Sequence, residues 1–185
     1  PRPMNPVLVD VLRGGAVESR HAGALAVVDA DGGLVAALGD VERAVFPRSA
    51  IKLLQALPLV ASGAADRLDL TDAELALACA SHGGEPLHAS TAAGMLAKAG
   101  LDAGSLECGA HWPYQELAAR DLAVRGERPS ALHNNCSGKH AGFLCLAYQR
   151  AAPGLDPRRF ARGYVQVDHP VMREVTAAIE AVTGE

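Results

Sequence analysis

The apolar pattern of this chain changes period once, between Gly39 and Ser49, and that change limits the possible folds more than any other feature. Before it, apolar residues come in short runs bounded by turn formers. Residues 6–12 form one run. Residues 24–28 and 34–38 form two more, flanking Asp29-Ala30-Asp31-Gly32-Gly33, where glycine's tolerance of positive φ suits a hairpin. After the change, the spacing is helical. Ile51, Leu53, Leu54 and Leu57 make an apolar stripe over 49–60, which Pro58 bends or ends. Thr71-Asp72-Ala73-Glu74 is a capping box opening a helix to about residue 80. Pro86 and Gly100 mark the start and stop of another, and further helices are predicted at 114–124, 139–151, 157–165 and 170–183. A β start followed by helices is an α+β pattern, read here as one domain over 1–185. Three strands want further partners, and the last helix runs to the end with no closing strand. The chain is therefore expected to be truncated at its C-terminus.

Charge and composition remove several functions. A net charge of -4 over 185 residues gives no basic stripe for nucleic acid or an anionic membrane. No run approaches the ~20 apolar residues of a spanning helix. The first residues lack the long apolar core of a signal peptide, so a cytoplasmic protein is expected. Cys79, Cys108, Cys136 and Cys145 then read as thiols or ligands rather than a disulfide framework.

Three segments carry chemistry. In Phe46-Pro47-Arg48-Ser49-Ala50-Ile51-Lys52 a serine precedes a lysine at helical spacing, so the amine can reach the hydroxyl. Serine needs a base before it attacks, and lysine serves only when neutral. Arg48 can clamp a carboxylate with its guanidinium fork. A Ser-x-x-Lys step also begins the active-site helix of serine β-lactamases, and by itself it equally describes an N-cap serine with a solvated lysine. In Ser81-His82-Gly83-Gly84-Glu85 the glycines let backbone N–H groups face an anion; Ser81 offers a second hydroxyl and Glu85 a partner for a substrate amine. The competing reading is a helix stop followed by a helix start. His133-Asn134-Asn135-Cys136-Ser137-Gly138-Lys139-His140 places polar side chains, Asn135 among them, where a loop enters an apolar helix. Cys136 with His140, or Cys136 with Lys139, is spaced to hold one metal from one turn; thiolate and imidazole suit zinc, but two ligands need a third. Cys108 and His111 have similar spacing and read as a structural turn.

Together with Arg13-Gly14-Gly15, Val17-Glu18-Ser19, His21-Ala22-Gly23 and Cys108-Gly109…His111…Pro113, these segments resemble the thermolabile, Rhizobium-etli-type L-asparaginases, also called asparaginase family II. The resemblance implies hydrolysis of L-asparagine to aspartate and ammonia on a fold similar to serine β-lactamases and glutaminases. It implies Ser49 and Lys52 as a first Ser-Lys pair, Ser81 as the serine of a second, Cys136 and Lys139 as two zinc ligands, and Arg48 and His140 as substrate-site residues. Family members are longer. The third zinc ligand and the lysine partner of the second serine do not occur in these 185 residues. The catalytic set expected is thus Ser49, Lys52 and Ser81; the substrate set is Arg48, His140, Glu85 and Asn135. Zinc is a candidate cofactor and a homodimer a candidate assembly. Two other readings stay open: a Ser-Lys acyl hydrolase of β-lactamase type, and a metal- or amino-acid-binding fragment without catalysis. The first lacks here the Ser-Asp-Asn and Lys-Thr-Gly segments of the β-lactamases.

Overall fold

The computed structural model of the chain describes residues 4–184. It is α+β and divides into two compact units, residues 1–46 and 47–185.

The first unit is two antiparallel hairpins. Strand β1 (Val7–Arg13) pairs with β2 (Ala16–Ala22), and β3 (Leu25–Val28) with β4 (Leu34–Leu38). The second hairpin is the one predicted. Asp29 Oδ1 accepts from Asp31 N–H at 3.0 Å and Gly33 N–H at 2.7 Å, which folds the turn around an aspartate as turn chemistry demands. Strand β2 is a correction to the reading above. Its sequence, AVESRHA, has too few apolar residues to show a strand pattern, and all of it is exposed. Gly14 and Gly15 hold the link at φ 55° and 82°, the left-handed pair a tight two-residue hairpin needs, so the Gly-Gly step was the legible signal.

The second unit is helical: α1 (Lys52–Gln55), α2 (Leu57–Ala61), α3 (Ala64–Arg67), α4 (Asp72–Ala78), α5 (Pro86–Lys98), α6 (Glu116–Val124), α7 (Ser137–Arg150), α8 (Pro157–Ala161) and α9 (Pro170–Thr183). The single helix expected over 49–60 is instead a 3-10 turn, Arg48–Ile51, then α1 and α2, separated at Ala56. Pro58 has no N–H to give, and the chain restarts the helix around it. The helix expected over 157–165 stops at Ala161, and Gly163 follows at φ 75°.

Helix α7 is the centre of this unit. Every residue from Ala141 to Ala147 is buried, as befits a helix enclosed by others, and it packs against α4, α5, α8 and α9. Leu144 and Leu146 with Met95, Leu96, Tyr164 and Val171 make the core; each large apolar side chain there contributes about 1.5–3 kcal/mol by leaving water. Glycine brings α7 close to α4, since a Cβ at Gly142 would lie 3.3 Å from Ala78 Cβ. The α4 capping box is present as predicted, with Glu74 N–H on Thr71 Oγ1 at 3.3 Å and Thr71 N–H on Glu74 Oε2 at 2.7 Å. Glu74 does more than cap the helix. It is buried and paired with Lys98 at 2.7 Å. Burial pushes its pKa up, but hydrogen bonds from Lys98 and Thr71 outweigh that and leave it lowered.

Candidate active site

The α4–α7 contact aligns two polar segments, the one that leaves α4 and the one that enters α7. Lys52, the first residue of α1, reaches into the seam between them and is 2 % exposed. Its Nζ lies 2.8 Å from Ser81 Oγ, 2.9 Å from Ala80 O and 3.4 Å from Asn135 O. Among the described residues no carboxylate forms an ion pair with it. A buried amine surrounded by two carbonyls and one hydroxyl has a chemistry to match. Its two N–H bonds can satisfy the carbonyls, and its third position faces Ser81. As an ammonium it donates there; as an amine it presents a lone pair to the serine proton. Ser81 is exposed while its partner is buried, so substrate can reach the hydroxyl without wetting the amine. Ser81 also opens onto a largely apolar groove of about 500 Å³ between α4 and α5.

The pairing differs from the one the Ser-x-x-Lys spacing suggests. Ser49 sits in the exposed 3-10 turn, and among the described residues its hydroxyl makes no hydrogen bond with Lys52. The carbonyls of Ala80 and Asn135 draw the lysine inward, and Ser81 is beside the first of them. Spacing along one helix does not reveal acceptors supplied by two other segments.

Arg48 is exposed beside Ser49 and holds φ at 52°, a left-handed backbone that is uncommon for a side-chain-bearing residue. Such strain persists where the surrounding structure imposes it. Arg48→Gly is expected to stabilise the fold by up to about 1 kcal/mol. It is also expected to raise KM for a carboxylate-bearing substrate; urea unfolding and steady-state kinetics on one preparation check both. Glu85, the N-cap residue of α5, is exposed, and its side chain makes no cap bond. Among the described residues neither Arg48 nor Glu85 is hydrogen-bonded to the Lys52–Ser81 pair.

The loop before α7 is tightly bonded. Asn134 is buried; its amide donates to Cys108 O at 2.8 Å and Gly109 O at 3.1 Å and accepts from Cys136 N–H at 2.8 Å. Asn135 gives its N–H to His111 Nε2 at 3.0 Å, while His111 Nδ1 faces Trp112 O at 2.8 Å. His111, read from sequence as part of a plain turn, therefore fixes the carbonyl that receives Lys52. His140 Nδ1 lies 2.6 Å from Tyr164 Oη, which in turn accepts from Glu107 N–H at 3.0 Å. Burial, with Lys139 and Lys52 adding to it, holds the His140 pKa down to about 3, so its ring is neutral. Burial pushes the Tyr164 hydroxyl up. No local pattern marks Tyr164, whose partners lie on α7 and in the loop at Glu107.

Cys136 and Lys139 bracket the first turn of α7, both half-buried. Burial lowers the Lys139 pKa, opposed by Cys136, and so moves it toward the neutral amine a metal requires. Cys108 lies close enough to feel both; burial, with Cys136 adding to it, raises its thiol to about 11. A sulfur and an amine, from Cys136 and Lys139, suit zinc better than calcium or magnesium. Among the described residues, however, no three His, Cys, Asp or Glu side chains gather as a metal site. All four cysteines are free thiols, as expected.

In this α+β chain a seryl hydroxyl thus lies on a buried lysine and faces a groove. The comparison with known families narrows the class: the family model for L-asparaginase II matches residues 9–185, and the chain belongs to that family of asparaginase-like amidohydrolases. No curated protein matches the chain. Among the described residues no helix is long and apolar enough to cross a membrane.

Proposed function

We propose that the chain hydrolyses the side-chain amide of L-asparagine to aspartate and ammonia, with Ser81 as nucleophile and Lys52 as its base. The 2.8 Å contact between Lys52 Nζ and Ser81 Oγ carries this reading, together with the family. Lys52, as the amine, takes the Ser81 proton while Oγ attacks the amide carbon. The tetrahedral oxyanion then needs donors. Of the amides in this loop, His82 N–H is committed to Asn135 O at 3.2 Å and Gly84 N–H to His82 Nδ1 at 3.2 Å. Those of Ser81 and Gly83 have no partner among the described residues, and they are the pair assigned here to the oxyanion. The protonated Lys52 returns its proton to the departing nitrogen, ammonia leaves, and water attacks the aspartyl ester by the same route reversed. Arg48 is assigned to the substrate carboxylate, Glu85 to its ammonium, and neutral His140 to a hydrogen bond without charge. Ser49 is the alternative nucleophile on the same lysine.

Zinc belongs to this proposal through Cys136 and Lys139, with at least one further ligand to be supplied; when bound, it would polarise the amide carbonyl. Four free thiols fit a reducing compartment and support a cytoplasmic setting.

The test is ammonia release from L-asparagine by Ser81→Ala and Ser49→Ala, with mass spectrometry of the trapped acyl-enzyme. Ser81→Ala is expected to lose at least about 10³-fold in kcat/KM. Ser49→Ala is expected to retain an aspartyl adduct on Ser81. An adduct that accumulates in Ser81→Ala moves the nucleophile to Ser49.

A further inference from the structure

The loop that carries Ser81 also carries a histidine that the chemistry above does not use. His82 is 8 % exposed, and both ring nitrogens are engaged. Gly84 N–H donates to Nδ1 at 3.2 Å, so Nδ1 bears no hydrogen. Nε2 is then the protonated nitrogen of the neutral ring, and it donates to Ser137 Oγ at 3.0 Å. Ser137, fully buried on the first turn of α7, passes its own hydrogen to Leu132 O at 2.9 Å. The bonds therefore run in one direction, from the Gly84 amide through the ring and the hydroxyl to the Leu132 carbonyl. Only one tautomer satisfies them all. The backbone takes part as well: His82 N–H donates to Asn135 O at 3.2 Å, the same carbonyl that receives Lys52 at 3.4 Å.

Ser81 itself has no such anchorage. It is exposed, and the hydrogen bond its hydroxyl makes among the described residues is the one to Lys52. Its position is set by its backbone, and the next residue along that backbone is pinned by its side chain to Ser137 at the start of α7 and by its main chain to Asn135 just before it. A displacement of about 1 Å at a reacting group costs on the order of 10²-fold in rate. We infer that His82 is a positioning residue. As the neutral Nε2–H tautomer it clamps the Ser81–Gly84 loop to the start of α7, and so holds Ser81 Oγ on Lys52 Nζ. The burial that lowers its pKa to about 4 keeps the ring neutral and the tautomer intact at neutral pH. The inference rests on the reading of Ser81 as nucleophile.

The experiment measures two things on wild type, His82→Leu, His82→Gln, His82→Asn and Ser137→Ala. One is kcat and KM for L-asparagine. The other is the rate at which a sulfonyl fluoride labels Ser81, followed by mass spectrometry. Glutamine keeps a donor that reaches Ser137, asparagine keeps an acceptor for Gly84, and leucine keeps neither. His82→Leu is expected to lower kcat and the labelling rate about 100-fold, with KM within about twofold. His82→Gln is expected to recover at least about tenfold of that loss, and Ser137→Ala to fall between them. If His82→Leu does not fold, the Gln, Asn and Ser137→Ala series decides. Equal labelling in wild type and all variants overturns the clamp while leaving Ser81 as nucleophile. Losses that follow only the thermal midpoint, the same in Gln and Leu, overturn it in favour of a plain core role. A wild type whose Ser81 is never labelled removes the nucleophile and the clamp together.

Discussion

Lys52→Met is expected to reduce asparagine hydrolysis at least about 10³-fold in kcat/KM and to leave the chain folded. General-base catalysis contributes about 10²–10⁴-fold, and loss of the base leaves a serine hydroxyl with nothing to receive its proton. Methionine fills nearly the same volume and has no proton chemistry. Folding should survive because of where Lys52 sits. Its Nζ is buried against Ala80 O, Asn135 O and Ser81 Oγ with no anion paired to it among the described residues. Removing it costs two carbonyls a donor, about 1–3 kcal/mol for each acceptor left unsatisfied. It also removes the penalty of holding a polar amine out of water. Asn135 O keeps the His82 N–H, which reduces the first cost. Lys52→Arg should be as inactive as Lys52→Met, because a guanidinium keeps its proton. Ammonia release and a urea titration on each variant check the pair of claims. Turnover near wild type in Lys52→Met would place the base elsewhere.

That prediction also shows what the sequence made legible. The spacing to Ser49 singles out Lys52, and in the structure its amine lies on Ser81 instead. Spacing reports neighbours on one helix; the contact Lys52 makes joins α1 to the loop after α4, and its geometry depends on acceptors from residues 80 and 135. The same limit explains His111 and Tyr164, whose partners lie in separate segments. Local signals served well wherever local chemistry decides: the Thr71–Glu74 capping box, the Asp29 turn, and Pro86 and Pro170 near the starts of α5 and α9. Strand β2 escapes the sequence pattern because AVESRHA has too few apolar residues to show one, whereas the equally exposed β1, β3 and β4 are apolar runs. The burial of Glu74 is not legible locally, because it depends on a partner, Lys98, in another helix.

Gly138→Ala is expected to destabilise the fold by about 3 kcal/mol or more. The reason is backbone contact. A Cβ at residue 138 would lie 2.5 Å from Leu77 Cγ and 2.8 Å from Leu77 C, and nearer still to Leu77 O. Side-chain ends can swing aside, but the Leu77 carbonyl belongs to the end of α4 and cannot move without the helix. At Gly142, one turn on, the added carbon would meet Ala78 Cβ at 3.3 Å and Leu59 Cδ2 at 3.4 Å, a tight fit that small shifts relieve. Gly142→Ala should therefore cost about 1 kcal/mol or less, and the difference between the two variants measures how rigid the seam is. The effect on activity should be separable from that on stability. The start of α7 is joined to Asn135, whose carbonyl meets both Lys52 and the His82 amide. Separating α7 from the end of α4 must draw that carbonyl away from the lysine. Gly138→Ala assayed in dilute buffer, where it remains folded, should lose kcat at least about tenfold while Gly142→Ala does not. Equal losses of stability and rate in the two variants would mean that the helices slide apart at little cost and that the serine–lysine contact does not depend on their approach.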